Sequence, residues 1–169
     1  MAQYKTKKRG KPEAVFRDMI ILSVPKHRGE YVIVPDEKAL KERLKKRIHG
    51  KGYTLAADKR PYDGNLIFYN NTICVELKAD DNKLEPHQQE LGERLENMYD
   101  HNTGERPDRL VWCVLRRKRT SSGEVYIVEN SQHKEYYRTD SLDDMLAWLK
   151  NYKPSMDNKH EKELDKMNE

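Results

Sequence analysis

Apolar residues recur along this chain with two distinct periods, which divide it into short alternating blocks. Leu40, Leu44 and Ile48 return every fourth residue and predict a helix over 37–49. Asp36 is its N-cap, and Gly50 and Gly52 end it. Glu37 lies three residues before Leu40 and faces along the same stripe. A second helix is expected over 86–99, because Pro86 suits a first helical position and Leu91, Leu95 and Met98 share a face. Gln88, three before Leu91, points the same way. A third helix, over 140–149, groups Leu142, Met145, Leu146 and Leu149, with Asp140 or Ser141 as cap.

Strand-like runs fill the gaps: 30–34 (EYVIV), 64–69 (GNLIFY), 72–78 (TICVELK), 109–116 (RLVWCVLR) and 125–129 (VYIVE). Asn70-Asn71 reads as a hairpin turn and 120–124 (TSSGE) as another. Segment 13–23 (EAVFRDMIILS) is mostly apolar, and its pattern leaves helix and strand both open. The order predicts an α/β fold: a mixed central β-sheet flanked by α-helices.

With 169 residues, 36% of them hydrophobic and 37% charged, the chain has the size of one domain and a modest core. The expected organisation is a flexible basic arm over 1–12, one domain over 13–152 with its core at 37–150, and a charged tail over 153–169. The net charge of +4 is compatible with a polyanion partner without establishing one. Basic residues concentrate in the arm (Lys5, Lys7, Lys8, Arg9, Lys11) and in a cluster of Arg116, Arg117, Lys118 and Arg119. The two cysteines, Cys74 and Cys113, lie in strand-like runs and read as buried free thiols, which favours a reducing, intracellular setting. No signal peptide and no apolar stretch near twenty residues is present, so no membrane association is expected.

Segment 72–78 carries an anomaly. Cys74, Glu76 and Lys78 share one face of the strand and Ile73, Val75 and Leu77 the other. A carboxylate and an ammonium are thus brought together, though a buried ion pair alone stabilises poorly. Asp63 sits where the preceding strand begins, and the hairpin brings that strand alongside. Two neighbouring carboxylates repel unless a cation lies between them. Asp63, Glu76 and the Leu77 carbonyl can hold one or two hard cations such as Mg²⁺, and Lys78 can orient a metal-bound water or face a phosphate. This is the chemistry of phosphodiester hydrolysis.

Asp63 followed by Glu76-Leu77-Lys78 resembles the PD-(D/E)xK nuclease superfamily, which sets an Asp and a Glu-x-Lys on adjacent strands of a mixed sheet. The likeness is strongest to its VRR-NUC subgroup, the virus-type replication-repair nucleases. The matching residues are Glu37 on an early helix, Pro61-Tyr62-Asp63 at the turn, Glu76-Leu77-Lys78 on the strand and Glu85-Pro86-His87-Gln88 at a helix start. They span roughly residues 37 to 150. The turn departs from the subgroup pattern by carrying Tyr62 between Pro61 and Asp63. The resemblance implies a restriction-endonuclease-like core and a Mg²⁺- or Mn²⁺-dependent nuclease acting on DNA, or on RNA, with structure-selective or nonspecific cleavage. Glu37 would be an outer ligand or water holder, and Gln88 would position Lys78 or the metal-bound water. The basic arm, Tyr62 and His87 are candidate nucleic-acid contacts, and a homodimer would let two copies address two strands.

Plainer roles stand beside these. Glu76 and Lys78 can be a surface pair, Glu37 a first-turn acid favoured by the helix dipole, and Gln88 helix-start polarity. Asp80 and Asp81 read as solvated loop acids and Cys74 as packing. Tyr4, Tyr53, Tyr62 and Tyr69 can stack on bases or fill core and rim. His101-Asn102 has no partners for a zinc-supported site, two cysteines are too few for an iron–sulfur cluster, and no Gly-rich loop ends in Gly-Lys-Ser/Thr. The main rival function is a non-catalytic nucleic-acid-binding module on the same fold. A protein-interaction factor that uses the charged tail is a third.

Overall fold

The computed structural model describes residues 12–35, 61–98, 102–105, 107 and 109–153. Within them lie three α-helices and a six-stranded mixed sheet. The order is α1 (Pro12–Ser23), β1 (Glu30–Ile33), β2 (Gly64–Phe68), β3 (Asn71–Ala79), α2 (Pro86–Glu96), β4 (Trp112–Thr120), β5 (Gly123–Glu129), β6 (Glu135–Thr139) and α3 (Leu142–Lys150). The strands lie in sequence order across the sheet. All neighbours are antiparallel except β3 and β4, which are parallel because α2 carries the chain back between them.

Segment 13–23 resolves as helix. Phe16, Ile20 and Val24, each four apart, are fully buried on one stripe, and Pro12 opens the helix instead of closing the basic arm. That stripe joins the core with Leu66, Phe68, Ile73, Val75 and Leu77 from β2 and β3, Cys113 and Leu115 from β4, and Met145, Leu146 and Leu149 from α3. Helix α2 covers the opposite face. Gly92 is its buried residue, and a Cβ there would meet the Trp112 ring at 2.6 Å. The close approach of helix to sheet therefore requires glycine.

Several boundaries differ from the sequence expectations. The β2–β3 hairpin turns at Tyr69-Asn70, with Phe68 opposite Asn71, because the Asn71 amide is buried and bonds the Leu149 carbonyl. Helix α2 stops at Glu96, where Asn97 caps it by donating to the Glu93 carbonyl, and Met98 is exposed. Strand β4 begins at Trp112 and runs through the basic cluster to Thr120. Strand β6 (EYYRT) was absent from the sequence reading, since its residues are all half-buried or exposed and show no clean alternation.

The cluster at 116–119 is not a free basic patch. Arg116 pairs with Glu129, Arg117 with Glu124, Lys118 with Asp81 and Arg119 with Asp80. Asp80 and Asp81 are thus salt-bridge partners, although Asp81 stays exposed. Both cysteines are free; Cys113 is buried, which pushes its thiol pKa well up, but Cys74 is only half-buried. Among the described residues, no helix is long and apolar enough to cross a membrane. The expected helix over 37–49, the basic arm and the tail beyond Lys153 lie outside the described residues.

Candidate functional site

Strand β2 begins only at Gly64, opposite Val75, while β3 continues past that point to Ala79 beside β4. One edge of β3 therefore loses its strand partner after Val75. A buried amide there needs another acceptor. Asp63 supplies it: its Oδ2 accepts the Leu77 N–H at 2.7 Å, and its own N–H donates to the Val75 carbonyl at 3.1 Å. Carrying the register one step past Gly64 sets Asp63 directly opposite Glu76. Gly64 is required next to it, because a Cβ at that position would overlap the Tyr31 ring.

This open edge is the floor of a cleft of about 300 Å³, lined by Glu13, Ala14, Arg17, Asp63, Glu76, Leu77, Lys78, Glu85 and Gln88. Glu76 and Lys78 are 4% and 7% exposed, which rules out a solvated surface pair. Glu76 Oε1 accepts the Gln88 Nε2–H at 2.7 Å and lies 4.0 Å from Lys78 Nζ. Gln88 Oε1 accepts the Glu85 N–H at 2.9 Å, closing a capping box at the start of α2. Only one orientation of the Gln88 amide serves both partners. Its helix-start role and its site role are thus one geometry.

The structure brings Asp63, Glu76, Leu77, Lys78 and Gln88 together as the sequence suggested. It adds Glu13 and Arg17, which the sequence reading missed. Helix α1 sets them four residues apart on the cleft wall, and Glu13 Oε1 accepts the Asn82 Nδ2–H at 3.1 Å. The signal was present: Pro12 and an acidic first turn ahead of the Phe16–Ile20–Val24 stripe. Glu37 lies outside the described residues. His87 and Tyr62 do not line the cleft. His87 Nδ1 lies 3.3 Å from Glu85 Oε2, and Tyr62 donates to Asn65 Oδ1 at 3.1 Å with its pKa raised first by burial. Tyr69 is exposed at the hairpin tip.

Among the described residues that line the cleft, four carboxylates (Glu13, Asp63, Glu76 and Glu85) stand with two cations (Arg17 and Lys78). Two carboxylates with a backbone carbonyl suit Mg²⁺, which keeps most of its waters. Among the described residues, no group of three or more His, Cys, Asp or Glu side chains is arranged to hold a metal. No protein-family model matches the chain, and no curated protein or solved structure matches it either.

Proposed function

We propose that this chain is a Mg²⁺- or Mn²⁺-dependent nuclease of the PD-(D/E)xK kind, most like the VRR-NUC subgroup, with a restriction-endonuclease-like core and DNA as substrate. The observation that carries the reading is the cross-strand setting of Asp63 against Glu76 just before β2 begins, with buried Lys78 beside Glu76. A buried carboxylate–ammonium pair opposite a second carboxylate is a costly way to build a sheet. It is a reasonable way to build a site for a cation and a phosphate.

Asp63, Glu76 and the Leu77 carbonyl would hold the cation, which when bound lowers the pKa of water and screens the phosphate. Gln88 fixes the Glu76 carboxylate by donating to Oε1. Lys78 Nζ donates to the attacking water or to a non-bridging phosphate oxygen and so steers the water oxygen toward phosphorus. A P–O bond forms to the water oxygen as one P–O ester bond breaks; the water gives up a proton to solvent and the departing oxygen gains one.

The test is cleavage of labelled single-stranded, duplex and branched DNA with Mg²⁺, Mn²⁺ or EDTA, alongside Asp63→Ala and Lys78→Ala proteins. Metal-dependent cutting that both substitutions abolish supports the reading. The rival, a non-catalytic nucleic-acid-binding module, draws on the lack of a third metal-ligating side chain among the described residues. Salt-dependent binding of every DNA with no cutting in either metal would select it.

A further inference from the structure

Arg17 has a part that the hydrolytic scheme above does not use. It lies on the cleft wall one turn of α1 after Glu13. Phe16 and Ile20, both fully buried, bolt this stretch of helix to the core and fix where the Arg17 side chain starts. The side chain is 33% exposed, yet its Nε is buried and has no hydrogen-bond partner among the described residues. Asp18 Oδ1 forms a long ion pair with Nε at 3.6 Å, beyond hydrogen-bonding distance. Four carboxylates line the same cleft, and none of them takes the guanidinium as an ion-pair partner. With Nε buried, the outer edge of the guanidinium is what the partly exposed side chain offers to the cleft.

We infer that Arg17 is the phosphate anchor of the cleft, a side chain that grips the nucleic-acid strand through the outer Nη1/Nη2 edge of its guanidinium. The proposal rests on the nuclease reading for its substrate. The planar fork of Arg matches two non-bridging phosphate oxygens at once, which the point charge of Lys78 cannot do. The cleft then divides its labour. Asp63 and Glu76 would hold the cation, Lys78 would face the water or the reacting phosphate, and Arg17 would fix the register of the strand from α1. Arg17 is thus a binding and positioning residue, whose loss weakens capture of the strand more than it slows the chemical step.

The experiment compares wild type, Arg17→Gln, Arg17→Lys and, as a control, Asp18→Asn. Steady-state cleavage of a fluorescein-labelled DNA gives kcat and KM. Binding of the same DNA is measured from 50 to 300 mM salt in a Lys78→Ala background. Arg17→Gln is expected to raise KM roughly tenfold or more with kcat changed far less. It also lowers the salt slope of log Kd by about one phosphate contact, roughly 0.7–0.9. Arg17→Lys, which keeps the charge and the stem, recovers the salt slope and part of the KM. Asp18→Asn leaves both at wild-type values. If wild type cuts DNA and Arg17→Gln and Arg17→Lys both match it in KM and salt slope, the anchor is overturned while the nuclease reading stands. A fall in kcat at unchanged KM and slope also overturns it. If no protein cuts but Arg17→Gln still flattens the salt slope, the anchor holds and the nuclease reading fails.

Discussion

Gln88 joins two elements of the cleft through one amide group: Nε2 donates to Glu76 Oε1 at 2.7 Å, and Oε1 accepts the Glu85 N–H at 2.9 Å. The start of α2 is thereby tied to the centre of β3. Gln88→Ala removes both bonds. The lost cap costs about 0.5–2 kcal/mol, seen as a fall of several degrees in Tm. Gln88→Glu sets a carboxylate against Glu76 and is expected to cut metal-dependent cleavage more deeply than Gln88→Ala. Thermal melts and cleavage rates on the two proteins check both statements.

Asp63 has two separable tasks, the Leu77 amide and the proposed cation. Asp63→Asn keeps an oxygen for the Leu77 N–H but removes the charge. It is expected to melt near wild type and to lose metal-dependent cleavage by a factor of about 10² or more. Asp63→Ala leaves the amide without its acceptor and is expected to cost a further 1–3 kcal/mol or so in urea unfolding. Equal stability of the two proteins would mean that the 2.7 Å bond contributes nothing.

Much of this cleft was legible in the sequence, for identifiable reasons. Alternation along 72–78 put Glu76 and Lys78 on one face, and the hairpin required Asp63 to stand near them. Pro86 marked the start of α2 and so gave Gln88 its direction. The contribution of α1 was hidden because Glu13–Ser23 is apolar on several sides, and period alone did not separate helix from strand. Only packing against β3 and α3 shows which side is the core. The pairing of the 116–119 cluster was equally hidden, because its partners Asp80, Asp81, Glu124 and Glu129 are brought to it by sheet register and the β3–α2 loop. Strand β6 is held by pairing with β5 and by α3, where Tyr137 stacks on Trp148 at 5.1 Å, so its own residues carry little signal.

Arg116 governs the loop between Lys78 and α2. It is buried, pairs with Glu129 Oε1 at 3.0 Å and donates through Nη1 to the carbonyls of Asp80 and Asn82, each at 2.7 Å. His133 holds the same loop, its Nε2 accepting the Leu84 N–H at 3.3 Å. Arg116→Ala strands the Glu129 charge and frees both carbonyls. The expected cost is about 3–5 kcal/mol in urea unfolding. Arg116→Lys recovers little of it, because an ammonium cannot span the same set of acceptors. A double substitution, Arg116→Met with Glu129→Gln, is expected to be less destabilised than Arg116→Ala, since no buried charge is left alone.

Asp80 fixes the far end of β3 to β4 and gives the fold an acid-sensitive contact. Its φ of 49° is left-handed, a conformation that Asp and Asn tolerate better than most side chains. The Arg119 side chain is the main cause, followed by the Arg119 backbone N–H, that holds the Asp80 carboxyl at about 2, below its ordinary 3.8. A carboxyl depressed in the folded state binds its proton more weakly there than in the unfolded chain. Its contribution to stability is therefore complete above about pH 4 and is lost as pH falls from there to about 2. Asp143, lowered by His27, and Glu124, lowered by Arg117, lose their contributions on the same acid limb. Carbon-detected NMR titration is expected to show the Asp80 carboxyl ionising well below a free aspartate and returning toward the ordinary value in Arg119→Ala. Asp80→Asn, which keeps the backbone conformation, is expected to be less stable than wild type at neutral pH and to converge with it as pH drops toward 2. A constant gap between the two proteins across that range would show that the carboxylate charge is not what links Asp80 to Arg119.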